Sequence, residues 1–379
     1  MMSSQEPHNA STQDKNMKPT IHLLDIPGYE EVVEVIDQAS GLHGFIAIHN
    51  TSLGPALGGV RIYPYRSKEE ALNDALRLAK AMTKKSALAE VGLGGGKSVI
   101  IADPRKEKTE ALLHAYGHAL DTLQGRYIAA EDIGTSPSDM SIIREVTPYV
   151  AALPTETSSG DPSRFTAWGV YRAIEACCQK LFGSTSVKDR RIAIQGLGHV
   201  GHKIAEHLFW RGAHLIIADI DEAKCKRIAK LYQADLCPLD EIFTTPCDIF
   251  CPSAMGGILN CESIPTLQCR AIAGAANNQL LTEEDGKRLM EKNILYAPDF
   301  ITNSGGIINA SGEFEMGGYN PKESLKRVDK IFSILRTIFT KAEEKHISTS
   351  QMAEELAAEN LERGIGKRVR PIIFSNSKH

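Results

Sequence analysis

Hydrophobic and polar positions alternate between two periods along this chain. Short apolar runs read as buried strands, and between them apolar residues recur at i, i+3, i+4 and i+7, the spacing of an amphipathic helix. Phe45–His49 is the first run. Thr51–Arg61 combines Pro55 with Gly54, Gly58 and Gly59 and reads as a shaped turn, after which Arg61–Pro64 resumes as a strand. Ser67 with Glu70 has the signature of a capping box. Leu72, Ala75, Leu76 and Ala79 form the inward stripe of a helix predicted to run out near Lys84, delivering Lys85 at its end. Val99–Ala102 is a buried strand stopped by Asp103-Pro104. Thr109–Leu123 reads as a helix with Leu112, Leu113, Tyr116, Leu120 and Leu123 inward, and Tyr127–Ala130 as a strand ending in Glu131-Asp132.

Pro154–Pro162 is rich in Ser, Thr, Gly and Pro and marks a domain boundary. A helix from Thr166 through Ile174, Cys177 and Leu181 is closed by Gly183. Beyond it the strand/helix alternation becomes regular: strand Arg191–Gln195, a glycine turn, a helix through Ile204, Ala205, Leu208 and Phe209, and strand Leu215–Ala218 ending in Asp219. A helix at 222–232, strands at 248–251, 271–273 and 294–297, and helices at 321–344 and 350–364 complete the pattern. The fold class is α/β, in two domains with a cleft between them. Residues 1–18 form a polar tail, 19–152 a first α/β domain joined by a C-terminal helical segment 346–379, and 153–345 a Rossmann-type dinucleotide-binding domain.

Composition changes this picture little. A chain of 379 residues, 42% hydrophobic and 24% charged, is ordinary for a globular protein of about two domains. A net charge of -4 argues against a nucleic-acid partner. No apolar run reaches the ~18 residues of a membrane span. The tail lacks the apolar stretch of a signal peptide and reads as disordered. All eight cysteines lie in the second half and none forms a C-x-x-C pair. No metal site and no disulfide framework is expected, and reduced cysteines place the protein in the cytoplasm.

Candidate chemistry lies in two glycine-rich segments. In Lys85–Ser98, two lysines bracket an apolar turn and the run Gly94-Gly-Gly96. A lysine there could bind phosphate, bind carboxylate, or act as an amine of lowered pKa. The phosphate-loop pattern needs a glycine where Val91 stands, so that reading fails. Those glycines are better read as letting substrate and nicotinamide approach Lys97. In the second segment, Gly196-x-Gly198-x-x-Gly201 follows a strand and opens a helix, with Asp219 at the end of the next strand. That is the dinucleotide fingerprint in its required context: Gly196 for the tight turn, Gly198 for close approach to the pyrophosphate, Gly201 for helix–strand packing. Asp219 is placed for a ribose hydroxyl and would repel a 2′-phosphate, so NAD is favoured over NADP. Lys224, Lys226 and Arg227 lie nearby and read as a solvated helix face. Glu131 and Asp132 sit where α/β proteins place functional residues, although either, Glu131 more readily, could instead cap the next helix. Two lysines and an aspartate beside a hydride carrier suit an amino acid: one ammonium for its carboxylate, the remaining groups for the protons of amine and water.

The chain resembles the glutamate/leucine/phenylalanine/valine dehydrogenase family, most closely its leucine-type members, from about residue 20 to 365. The resemblance is carried by Leu53–Gly59 with Arg61, Met82–Lys85, Leu93–Lys97, Ala130–Gly134, Ser158–Gly160, Gly196–Gly198, Gly274–Leu280 and Ala297–Asn303. It implies NAD-dependent, reversible oxidative deamination of a branched-chain L-amino acid to its 2-oxo acid and ammonia. By position, Lys85 would bind the substrate carboxylate, with Gly58 and Gly59 beside it. Lys97 would be the catalytic lysine that activates water, and Asp132 would move protons at the amine. Leu57, Ala130, Ile307 and Ala310 would line an aliphatic side-chain pocket. Thr166, Ala276, Asn277, Asn278 and Asn303 would hold the nicotinamide end, and Gly196, Gly198, His199, Val200, Gly201 and Asp219 the rest of the cofactor. Ala310 stands where valine is expected and His199 where asparagine is expected. A homo-oligomer is implied. The alternatives are a phenylalanine or valine dehydrogenase or, in another class, a non-catalytic NAD-binding regulatory protein.

Overall fold

The computed structural model describes residues 18–155 and 158–374. The expected disordered tail therefore falls, but for Lys18, outside the described residues. Among the described residues no helix is long and apolar enough to cross a membrane.

The first domain comprises β1 (Thr20–Leu24), β2 (Glu31–Asp37), β3 (Leu42–Asn50), β4 (Ala56–Tyr63), α1 (Lys68–Ala89), β5 (Gly94–Ile101), α2 (Glu110–Asp121), β6 (Tyr127–Glu131) and α3 (Pro137–Arg144). Its sheet runs β1-β2-β3-β5-β4-β6, antiparallel from β1 to β5 and parallel across β5, β4 and β6. β1 and β2 precede every strand read from the pattern. The β-branched run Val32-Val33-x-Val35-Ile36 was a usable signal for β2, whose Val33 and Val35 are buried on one face and Val32 on the other.

Several expectations are corrected in this domain. The shaped turn at Thr51–Arg61 ends at Pro55, because β4 already pairs from Ala56 against Gly94 on one side and Tyr127 on the other. The glycines before Lys97 lie within β5, not in a loop. The helix ahead of them runs past Lys84 and Lys85 to Ala89, since Ala87, Leu88 and Ala89 are buried and extend its inward face. Ser67 caps α1 by accepting from Glu70 N–H, but the Glu70 carboxylate accepts from Arg66 N–H, so the capping box is only half made. The buried stripe of α1 is Ala71, Ala75, Leu78 and Ala79, with Leu72 and Leu76 only partly covered. α2 buries Leu112, Leu113, Tyr116 and Leu120, and Leu123 just past its end is buried as well. Neither Glu131 nor Asp132 caps α3, because Ser136 and Asp139 form that cap.

The second domain comprises α4 (Ser163–Phe182), β7 (Arg191–Gln195), α5 (His199–Phe209), β8 (His214–Ala218), α6 (Glu222–Tyr232), β9 (Asp235–Leu236), β10 (Ile249–Pro252), β11 (Ala271–Ile272), α7 (Glu284–Glu291), β12 (Leu295–Tyr296), α8 (Asp299–Thr302), α9 (Gly305–Ser311) and α10 (Pro321–Lys345). The strands are all parallel in the order β12-β11-β10-β7-β8-β9. This is the doubly wound Rossmann order, with its switch point between β7 and β10. Gly183 closes α4 in the left-handed conformation expected of a C-terminal cap.

α11 (Thr349–Arg363) then packs on α1, α7 and α10, and Asn360 Nδ2 donates to Ala87 O of α1 at 3.1 Å. Among the described residues of the 346–379 segment, helix beyond α10 is confined to Thr349–Arg363. Gly364, with φ 65°, ends it. Arg368 beyond it donates to Gly92 O and Phe314 O, tying the two domains together.

Candidate active site

The three adjacent parallel strands β5, β4 and β6 bring the charged residues of the first domain together. Lys97 projects from β5, and Asp132 follows the last residue of β6, with β4 lying between them. Lys97 nonetheless pairs with Asp132 Oδ2. It can cross the middle strand because that strand carries Gly59. A Cβ at Gly59 would sit 2.6 Å from Asp132 Cβ and 3.0 Å from Lys97 Nζ. At Gly58 a Cβ would sit 2.0 Å from Gly96 O. The glycines of β5 do other work. A Cβ at Gly95 would lie 2.1 Å from Thr83 N, and one at Gly96 would lie 2.7 Å from the Tyr127 ring. Their missing side chains admit the protein's own helix and ring, so the reading that they admit substrate and nicotinamide is corrected.

Lys97 is 6% exposed. Burial pushes its ammonium down, against the pull of Asp132, and the Arg61 guanidinium pushes the same way as burial. Burial alone would raise Asp132, but Lys97 and Arg61 outweigh it and hold the carboxyl down at about 2. Lys85, in the last turns of α1, is pushed down to about 8 by burial. Asp299 opposes that, Lys97 adds to it, and Asp132 opposes it more weakly.

Lys85 is where the two domains meet. Its Nζ donates to Asn277 Oδ1 at 3.3 Å, and Asn303 Nδ2 donates to the same oxygen at 2.8 Å. Asn303 Nδ2 also reaches Ala275 O and Ala276 O, while its own Oδ1 is buried with no hydrogen-bond partner. Thr166 Oγ1, on α4, lies against Gly306 and donates to Pro162 O. Asn278 takes the left-handed conformation, with φ 51°, and turns the chain away. A cavity of about 740 Å³ is lined by Lys80, Lys84, Asn278, Asp299 and Glu354, without Lys97 or Asp132 in its wall. Charge, not cavity size, marks the reactive cluster.

At the β7 end, Gly196 has φ 96°, and a Cβ there would strike Ala254 beside β10 at 2.7 Å. At Gly201 a Cβ would lie 2.0 Å from Gly196 O, whereas one at Gly198 would meet nothing within 4 Å. The turn is closed on the protein side and open at Gly198, a cradle with the first amides of α5 available to an anion. His199 and Val200 are the first residues of α5, with His199 exposed. Asp219 is fixed against the turn: its Oδ2 accepts from Leu197 N–H at 2.6 Å and its Oδ1 from Asp221 N–H at 2.9 Å. Lys224 Nζ stands 3.9 Å from that carboxylate, closer than a wholly solvated face implies.

Leu57, Ile307 and Ala310 belong to one apolar cluster, with Ala130 packed against it. Asp74, Tyr65 and Asp299, which also surround the charged groups, were missed. Asp74 stands at i+3 from Ala71 and i−4 from Leu78, inside the buried stripe of α1, and a carboxylate in an apolar stripe signals a buried partner.

Matches to known proteins cover the same two regions. Residues 30–149 match the model described as Glu/Leu/Phe/Val dehydrogenase, dimerisation domain, and residues 215–367 match that described as Glutamate/Leucine/Phenylalanine/Valine dehydrogenase. Leucine dehydrogenase of Thermoactinomyces intermedius is 46% identical over 335 residues, covering 88% of this chain and 91% of that protein. Phenylalanine dehydrogenase of Caldalkalibacillus thermarum is 44% identical over 350 residues, covering 91% and 94%. The crystal structure of L-tryptophan dehydrogenase from Nostoc punctiforme superposes with a TM-score of 0.78 at 39% identity, covering 89% and 97%. With a dinucleotide cradle on one wall of the cleft and a lysine–aspartate pair on the other, and with matches of this extent on both, the chain belongs to the glutamate/leucine/phenylalanine/valine family of amino acid dehydrogenases.

Proposed function

We propose that the protein catalyses the NAD-dependent, reversible oxidative deamination of a branched-chain aliphatic L-amino acid to the 2-oxo acid and ammonia. The observation that carries this reading is that Lys85 and Asn303, from the two domains, both donate to Asn277 Oδ1, with Lys85 within electrostatic reach of the Lys97–Asp132 pair. Lys85 pairs with the α-carboxylate. Lys97, its proton loosened by burial and given up, removes a proton from the water that attacks the α-carbon once loss of hydride has made that carbon part of an imine. Asp132 moves the proton at the departing amine nitrogen. NAD would supply the acceptor for the hydride of the α-carbon. Gly196, Gly198, His199, Val200 and Gly201 would hold its pyrophosphate, Asp219 its ribose, and Thr166, Ala276, Asn277, Asn278 and Asn303 its nicotinamide end. The unpartnered Oδ1 of Asn303 supports that last assignment, as an acceptor awaiting a donor. In the same proposal, residues 19–152, joined by 346–379, form the substrate, catalytic and oligomerisation domain and residues 153–345 the NAD-binding domain.

Leu57, Ala130, Ile307 and Ala310 present carbon only, which supports an aliphatic substrate over glutamate. A phenylalanine substrate is the second reading, favoured by the small Ala310 and by the phenylalanine dehydrogenase relative. NADH formation with leucine, isoleucine, valine, phenylalanine and glutamate, against NAD and NADP, tests all of this. The expected order places leucine and its branched neighbours first with NAD. A maximum with glutamate would overturn the pocket assignment. The dimerisation description of residues 30–149 supports a homo-oligomer, which light scattering would measure.

A further inference from the structure

The Lys97–Asp132 pair has a second cation for which the proposed chemistry has no task. Arg61 Nε donates to Asp132 Oδ2 at 3.1 Å, the same oxygen that Lys97 takes. Arg61 NH1 donates to Asp74 Oδ2 at 2.9 Å. Tyr65 OH donates to that oxygen as well, at 2.6 Å, and Arg77 holds Asp74 Oδ1 at 2.7 Å. Arg61 and Asp74 are each only 15% exposed. Withdrawing such charges from water is costly, and an apolar pair would often serve stability as well. The chain of contacts runs from Lys97 on β5 to Asp132 beyond β6, to Arg61 on β4 and to Asp74 on α1, the helix that also carries Lys85. The elements β5, β4 and α1 and the end of β6 are thereby tied to one another through charged groups.

We infer that Arg61 and Asp74 are positioning residues for the Lys97–Asp132 pair: Arg61 pins the Asp132 carboxylate against Lys97, and Asp74 holds the guanidinium in place and offsets its charge. This rests on the reading of Lys97 and Asp132 as the proton-transfer pair. Arg61 from β4, Asp74 and Lys85 from α1, and Glu131 and Tyr127 from β6 are the charged or titratable groups that act on the pair, with Tyr65 behind Asp74. Arg61 pushes the Lys97 ammonium down and Asp74 pushes it up. The two residues therefore carry opposite electrical signatures at Lys97.

The test is the pH profile of kcat/KM for oxidative deamination, whose rising limb reports the loss of the Lys97 proton. Arg61→Met is expected to move that limb to higher pH by about one unit, and Asp74→Asn to move it to lower pH. Arg61→Lys keeps the charge but loses the planar fork, so its limb stays near wild type while kcat falls about tenfold. Thermal unfolding of each variant accompanies the kinetics. Should Arg61→Met not fold, Asp74→Asn against Arg61→Lys decides by the same sign. Arg61→Met and Asp74→Asn limbs that coincide with wild type, or that both move in one direction, overturn the positioning role. Lys97→Ala and Asp132→Asn are measured alongside. Their retaining turnover would overturn the proton-transfer reading itself, whereas loss of turnover with unmoved limbs overturns only the inference.

Discussion

Gly94–Gly96 and Gly196–Gly201 look alike in the sequence and do opposite work in the fold. The first run lies inside a strand, and the space its missing side chains leave is filled by Thr83 and Tyr127. The second is a turn between strand and helix, closed toward the protein at Gly196 and Gly201 and open at Gly198. Glycine in the first region serves packing between protein elements. In the second it serves packing at two positions and leaves open space at the third, where the proposal seats the cofactor. The chemistry proposed for the first region belongs to Lys97, at the end of its glycine run, whose pairing with Asp132 depends on another glycine, Gly59, on the neighbouring strand.

Four substitutions or conditions would break or sharpen this contrast. Gly59→Ala, with its Cβ placed between Asp132 and Lys97, is expected to lower turnover about 100-fold, read by steady-state kinetics, while NAD binding is kept. Gly95→Ala drives a methyl into the backbone of Thr83 and is expected to cost about 2–3 kcal/mol in urea unfolding. Gly198→Ala places its methyl in open space, so stability should stay within about 0.5 kcal/mol. Its KM for NAD should rise about tenfold, equivalent to ~1.4 kcal/mol of binding. If Gly95→Ala raised the KM for NAD and Gly198→Ala unfolded the protein, the two regions would have been assigned the wrong way round. The smallest effect is one of pH. Lys85, held at about 8, is charged below that value and neutral above it, so the KM for the amino acid should climb as pH rises through about 8.

The second region was legible because its determinants are consecutive. β7, the three glycines, α5, β8 and Asp219 follow one another within one stretch of chain, and each has a local signature. The first was only partly legible because its determinants are distant in sequence. Gly95 answers to Thr83, Gly96 to Tyr127, and Gly59 to Asp132. Glycine-rich stretches read as turns by propensity, yet β4 and β5 begin within them because each pairs with ready neighbours, Ala56 with Gly94 and Tyr127. The extension of α1 to Ala89 has the same origin, since Ala87–Ala89 bury against the second domain's cluster. Lys85, Lys97 and Asp132 were readable as residue types in position, but their linkage through Arg61 to Asp74 is a property of the assembled sheet and helix.

The central claim is that chemistry resides on one wall of the cleft and the cofactor on the other. Lys97→Ala, assayed for NADH formation from leucine with NAD affinity measured on the same preparation by fluorescence titration, tests it most directly. Turnover is expected to fall by about 10³, with the Kd for NAD unchanged within twofold. Turnover retained at the wild-type rate, or lost only because NAD no longer binds, would contradict the account.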